Sequence, residues 1–205
     1  MHRKTSIPAW CVAVGLVSIG LLSPIAQAQK NPSTQPQAPT VQQVEATACG
    51  DFHVNFEAMQ DGTHPLAPAV PGKALVYVIS DFYSARGKYR GGPTVRIGMD
   101  GRWAGANRGG SYTSFYVSPG KHHLCVNWQS RFHRLNKLVV LKDLNAQPGE
   151  IYYFRIQYVV VDVGYDDSYD GLLNLDAVDP SEGQFLVAQY PHVTSKINVI
   201  SQTKK

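Results

Sequence analysis

The stretch "VRIGMDGRWAGANRGGSYTSFYVSPGKHHLCVNWQS", residues 95–130, decides the fold. Val95, Ile97 and Met99 share one side of an extended strand, because successive side chains of a strand point to opposite faces. Asp100-Gly101 follows and signals a hairpin, since a two-residue type I′ turn needs positive φ. "RWAGA" returns. "SYTSFYV" then sets Thr113, Phe115 and Val117 on one face and Tyr112, Ser114 and Tyr116 on the other. Pro119-Gly120 turns the chain into "KHHLCVNW". There Leu124, Val126 and Trp128 read as core-facing, with His123, Cys125 and Asn127 facing outward or an edge.

The same rhythm extends both ways. Upstream, "ALVYVIS" is a β-branched and aromatic strand, and "CGDFHVNFEA" is a short first strand. Between them "MQDGTHPLAPAVPGK" crosses over, its prolines favouring an extended path. Downstream, "KLVVLKDL", "EIYYFRIQYVVV" and "GLLNLDAV" are further strands. "DPSEGQFLVAQY" predicts one short helix, with Asp179 as N-cap, Pro180 at the first helical position and Glu182 at the third. Phe185, Leu186 and Tyr190 are expected to pack it on a sheet, and Gly183 costs it about 1 kcal/mol relative to alanine. Without a βαβ rhythm, these strands predict a mainly β domain over residues 48–193, an antiparallel β-sandwich with one short C-terminal helix. Residues 194–205 read as a loose tail.

The N-terminus predicts export. His2, Arg3 and Lys4 precede the apolar run "AWCVAVGLVSIGLL", and Ala26-Gln27-Ala28 has the small-x-small form of a signal-peptidase site. The run is shorter than the roughly 20 residues that span a bilayer, and no second such run follows. Residues 1–28 therefore read as a signal peptide, the alternative being a retained N-terminal anchor. The mature chain, without a membrane span, would be periplasmic or extracellular. Residues 29–47, "QKNPSTQPQAPTVQQVEAT", carry too little apolar surface to fold and read as a disordered linker. Loss of Arg3 and Lys4 leaves 17 basic against 15 acidic residues, scattered, which argues against a nucleic-acid partner. It also removes Cys11, leaving Cys49 and Cys125 as an even pair in an oxidising compartment. Their disulfide would close a long loop worth about 4 kcal/mol on chain-entropy grounds.

Candidate chemistry is sparse. Asp166, Ser168, Asp170 and Gly171 match positions 1, 3, 5 and 6 of a calcium loop, but the twelfth position is Ala177 rather than a bidentate glutamate. A polar hairpin that uses Asp and Gly as turn formers is the competing reading. His122 and His123 point to opposite faces of a strand and cannot share one ion unless the strand bulges; His133 lies in a nearby loop. Ser111 in "RGGSYTS" lacks a strand-to-helix elbow, and a carboxylate pair would have to come from Asp81, Asp100 and Glu150. Trp103, Tyr112 and Tyr116, with Tyr83, Tyr89 and Trp128 nearby, could form an aromatic platform for a glycan or an envelope protein, or could fill a core. The reading is a binding or structural module that uses no cofactor and is not an enzyme. The alternatives are a calcium-stabilised module, a carbohydrate-binding module or a hydrolase.

"PGKALVYVIS", residues 95–128, "AQPGEIYYFR" and "LNLDAVDPSEGQFLVAQYP" resemble, in order and spacing, the bacterial domain-of-unknown-function family 2846. The middle part is also similar to surface-exposed PEGA modules. The resemblance implies an exported bacterial protein, often a lipoprotein, with a compact Ig/PEGA-like sandwich and no assigned activity. Gln29 stands where a lipidation cysteine would be required, and "ALVYVIS" ends without the arginine that family members often carry.

Overall fold

A computed structural model of the chain describes residues 38–51, 53–82, 93–130, 137–162 and 169–199. The expected signal peptide, the linker up to residue 37, and Tyr83, Tyr89, His133, Asp166 and Ser168 lie outside the described residues. In chain order the elements are α1 (Val41–Ala48), β1 (Val54–Gln60), β2 (Ala74–Ser80), β3 (Thr94–Met99), β4 (Arg102–Arg108), β5 (Ser111–Val117) and β6 (Gly120–Gln129). They continue with β7 (Val139–Ala146), β8 (Ile151–Asp162), β9 (Tyr169–Val178), α2 (Pro180–Gln189) and β10 (Val193–Val199).

The strands form two four-stranded sheets, ordered β4-β3-β6-β7 and β5-β2-β8-β9, and a two-stranded sheet of β1 and β10. One apolar cluster joins the four-stranded sheets. Val95, Ile97, Leu124 and Val126 enter it from one, and Val76, Val78, Phe154 and Leu175 from the other. The hairpin between β3 and β4 closes as its sequence predicts. Asp100 (φ 52°) and Gly101 (φ 76°) both adopt left-handed conformations, and Met99 pairs with Arg102.

Five expectations are corrected. The second sheet is mixed rather than antiparallel, because β2 and β8 run parallel with Val76 opposite Tyr152 and Val78 opposite Phe154. Side-chain alternation reports faces and is blind to the direction of strands that are distant in sequence. All seven residues of β2 are buried, as suits a central strand covered on both sides.

Next, Cys125 and Asn127 of β6 do not face solvent: both are buried on the side of the sheet away from the central cluster. There Cys125 packs with Ala48 and Cys49 at the end of α1, and β1 and β10 cover β4.

The expected linker ends early. α1 begins at Thr40 with a capping box: Thr40 Oγ1 accepts from the Gln43 N–H at 3.3 Å, and Gln43 Oε1 accepts from the Thr40 N–H at 2.8 Å. The chain thus has two helices among its described residues where one was expected.

As far as Val199, the expected tail is a strand. β10 pairs antiparallel with β1, from Gln60 opposite Val193 to Val54 opposite Val199.

Finally, α2 has the predicted N-terminus, with Asp179 Oδ1 accepting from the Ser181 and Glu182 N–H groups, and Leu186 and Tyr190 pack on the second sheet as expected, but Phe185 does not. Gly183, Leu186 and Val187 are buried while Phe185 is 66% exposed. Positions i, i+3 and i+4 share a helix face, and i+2 does not.

Candidate functional site

Cys49 and Cys125 form a disulfide with their Cα atoms 5.2 Å apart. Both are almost wholly buried, so the bridge staples the C-terminus of α1 to β6 beneath a small apolar lid. Trp103 on β4 belongs to this region. Its Nε1–H donates to the Asp51 carbonyl at 2.6 Å, its ring meets Phe56 edge-on at 6.4 Å, and the Arg96 guanidinium lies 6.0 Å from its centroid. Arg96, only 3% exposed, donates to Asn127 and to Asn55 Oδ1, while its Nε finds no acceptor among the described residues. Burial lowers its pKa.

The three aromatic residues of the expected platform are not brought together. Trp103 belongs to one sheet, and Tyr112 and Tyr116 to the other. Tyr112 is fully buried against Tyr77 and His192 and donates to the Pro65 carbonyl at 2.8 Å. Burial, then Tyr77 and Asp61, push its hydroxyl up to about 12. Tyr116 is 38% exposed and donates to the Pro68 carbonyl. Both tyrosines tie down the proline-rich crossover, residues 61–73.

His122 and His123 point apart. His122 lies 2.6 Å from Asp100 Oδ2 through Nδ1 and 2.7 Å from the Ser118 carbonyl through Nε2; His123 Nδ1 is 2.8 Å from Asp143 Oδ1. Among the described residues, no three His, Cys, Asp or Glu side chains gather as a metal site. Asp170 of the calcium pattern stands in β9 opposite Val161. Ser111 is buried, its Oγ donating to the Arg108 carbonyl and accepting from the Arg108 N–H. Asp81 follows the C-terminal end of β2, whereas the Glu150 carbonyl accepts from Leu75 near the N-terminal end. Six residues of strand, roughly 20 Å, separate them.

What the sequence reading passed over is a cleft of about 690 Å³ on the outer side of the second sheet. Its walls are His64, Leu66 and Ala67 from the crossover, Tyr77 from β2, Ile151 and Tyr153 from β8, and Gln184, Val187 and Ala188 from α2. Tyr77 and Tyr153 stand opposite each other in the parallel pair and stack at 5.1 Å with planes 12° apart. The Tyr77 hydroxyl accepts from the Ala67 N–H at 3.0 Å. Burial, then Tyr77, raise the Tyr153 pKa, and the Gln184 amide beside it pulls the other way. A smaller hollow, about 460 Å³, lies between α1 and Gly101, but Asp51 on its rim is already held by His53. The signal for the larger cleft was Tyr77, set between the aliphatic Leu75 and Ile79 on the outer face of β2.

The chain matches no protein-family model, no curated protein and no solved structure.

Proposed function

We propose that this chain is an exported protein of the bacterial envelope that acts as a non-enzymatic binding or structural module. Its partner would be an envelope protein or a glycan. Its two four-stranded sheets would form an Ig/PEGA-like sandwich of the kind found in family 2846. The observation that carries the reading is the buried Cys49–Cys125 disulfide. Disulfides persist in oxidising compartments and are uncommon in the cytosol. The pairs Asp51–His53, Asp61–His192, Asp100–His122, Asp143–His123 and Arg155–Glu182 support it, because they spend titratable groups on holding loops and α2 in place.

The test is expression of the full chain in a Gram-negative host, followed by fractionation and mass spectrometry under non-reducing conditions. The expected product is periplasmic or secreted, begins at Gln29 and resists alkylation. A cytosolic product with alkylatable Cys49 and Cys125 would refute the proposal.

A further inference from the structure

We propose that the cleft between residues 64–67, β2, β8 and α2 binds a small, uncharged, largely apolar molecule by its carbonyl oxygen. This site is independent of where the chain resides.

Size comes first. A volume of about 690 Å³ falls within the roughly 300–1,000 Å³ typical of small-molecule sites. Composition then narrows the ligand. Leu66, Ala67, Ile151, Val187 and Ala188 make the walls apolar, and among the described residues no carboxylate, lysine or arginine lines them. Leu66 is 74% exposed and Ile151 45%, so apolar surface remains in water at the mouth. A ligand with an apolar body would cover it, a favourable transfer.

The polar groups define the head. Tyr77 and Tyr153 belong to parallel strands in register, so their phenols leave the sheet on the same face and lie side by side. The Tyr77 oxygen already accepts from Ala67, and no described residue takes its hydrogen. Among the described residues that hydrogen has no acceptor, and Tyr77, 2% exposed, lines the apolar cleft. Its hydroxyl calls for an acceptor, and a carbonyl supplies one without carrying charge. A carboxylate would shed its hydration in a wall where, among the described residues, the one basic side chain is His64, whose Nδ1 lies 3.4 Å from the Val187 carbonyl.

The test uses the full chain, the dye 1-N-phenylnaphthylamine, and methyl octanoate and octanoate as competitors at pH 8. The dye should brighten with protein, and the ester should displace it about tenfold better than the acid. Tyr77→Phe also frees the Ala67 N–H of the wall, so the dye measures that common loss, and the ester should weaken about fivefold more than the dye, which has no carbonyl. Ala188→Trp, at an exposed helical position on the rim, should abolish binding of dye and ester while the circular dichroism stays unchanged. No dye binding, dye binding indifferent to Ala188→Trp, an ester loss no greater than the dye's in Tyr77→Phe, or preference for octanoate would each overturn the proposal.

Discussion

Gly183 sits in the second turn of α2 with its backbone pressed on the Tyr153 ring, where an added Cβ would fall 2.1 Å from Cγ. Helix propensity and packing therefore pull in opposite directions. Alanine gains about 1 kcal/mol of propensity, but forcing a methyl into a filled contact costs about 1–3 kcal/mol. Gly183→Ala is expected to destabilise the protein, read as a lower urea midpoint. The same substitution in a Tyr153→Ala background should cost less, because the ring carbons at 2.1 and 2.5 Å are gone and only the Tyr153 Cβ contact, at 2.6 Å, remains. An equal loss in both backgrounds would show that the ring contact is not the cause. Other residue-level features were legible before any coordinates. The Asp100-Gly101 turn, the Cys49–Cys125 pair and the Asp179 cap each follow from local backbone chemistry or from counting. The partners of Trp103, Tyr112 and Tyr116 were not legible. Each is set by segments far away in sequence, Trp103 by Asp51 and the two tyrosines by Pro65 and Pro68.

Among elements, β10 shows where alternation reads weakly. Val193, Ser195, Ile197 and Val199 share one face of the strand. Val193 is buried, Ser195 spends its hydroxyl on the Ala106 N–H at 3.1 Å, and Ile197 is exposed. With a serine in the second place and an exposed third, the period-two pattern is too thin to stand out from a polar tail. β2, β3 and β6 were legible because apolar runs fill their inward positions: Val76 and Val78, then Val95, Ile97 and Met99, then Leu124, Val126 and Trp128. The strand reading of β10 has a measurable consequence. A chain ending at His192 loses the partner of β1 and uncovers Phe56, Ala58 and Ala106, which cluster with Val193. Two strands in isolation are marginal, and one is not a sheet. Burial of Val193 alone is worth about 1.5–3 kcal/mol, so this truncation should lower stability by at least that much in urea titration. A chain ending at residue 200 keeps β10 and serves as the reference. If the His192 truncation is as stable as that reference, β10 contributes nothing to the fold.

At the scale of the whole molecule, the ionisable pairs define how stability must vary with pH. On the acid side, the His192 hydrogen bond, followed by those of Thr63, holds Asp61 down to about 2. Partial burial would raise Asp100, but hydrogen bonds from His122 and the His123 N–H outweigh it and leave its pKa lowered. Carboxylates with depressed folded pKa values contribute stability that is present above their unfolded value, near 3.8, and is lost as pH falls through the folded values. His122 works in the opposite sense. Burial disfavours its charge, yet the Asp100 carboxylate and the Ser118 carbonyl both accept, so both ring nitrogens must donate and its pKa is raised. Its contribution is complete below the unfolded value, near 6.5, and disappears as pH climbs through the folded one. The tyrosines come last. Burial, reinforced by Asp81, lifts Tyr190 to about 12, matching Tyr112, so both stay protonated in the fold while the unfolded chain ionises from about 10. The melting temperature should therefore be highest between the carboxylate and histidine ranges, step down above pH 6.5, and fall again above pH 10. His122→Gln should remove the first step and leave the second, because the glutamine amide cannot carry the second proton. Scanning calorimetry of both proteins from pH 3 to 11 checks this directly. A step of equal size in His122→Gln would mean that another group sets it.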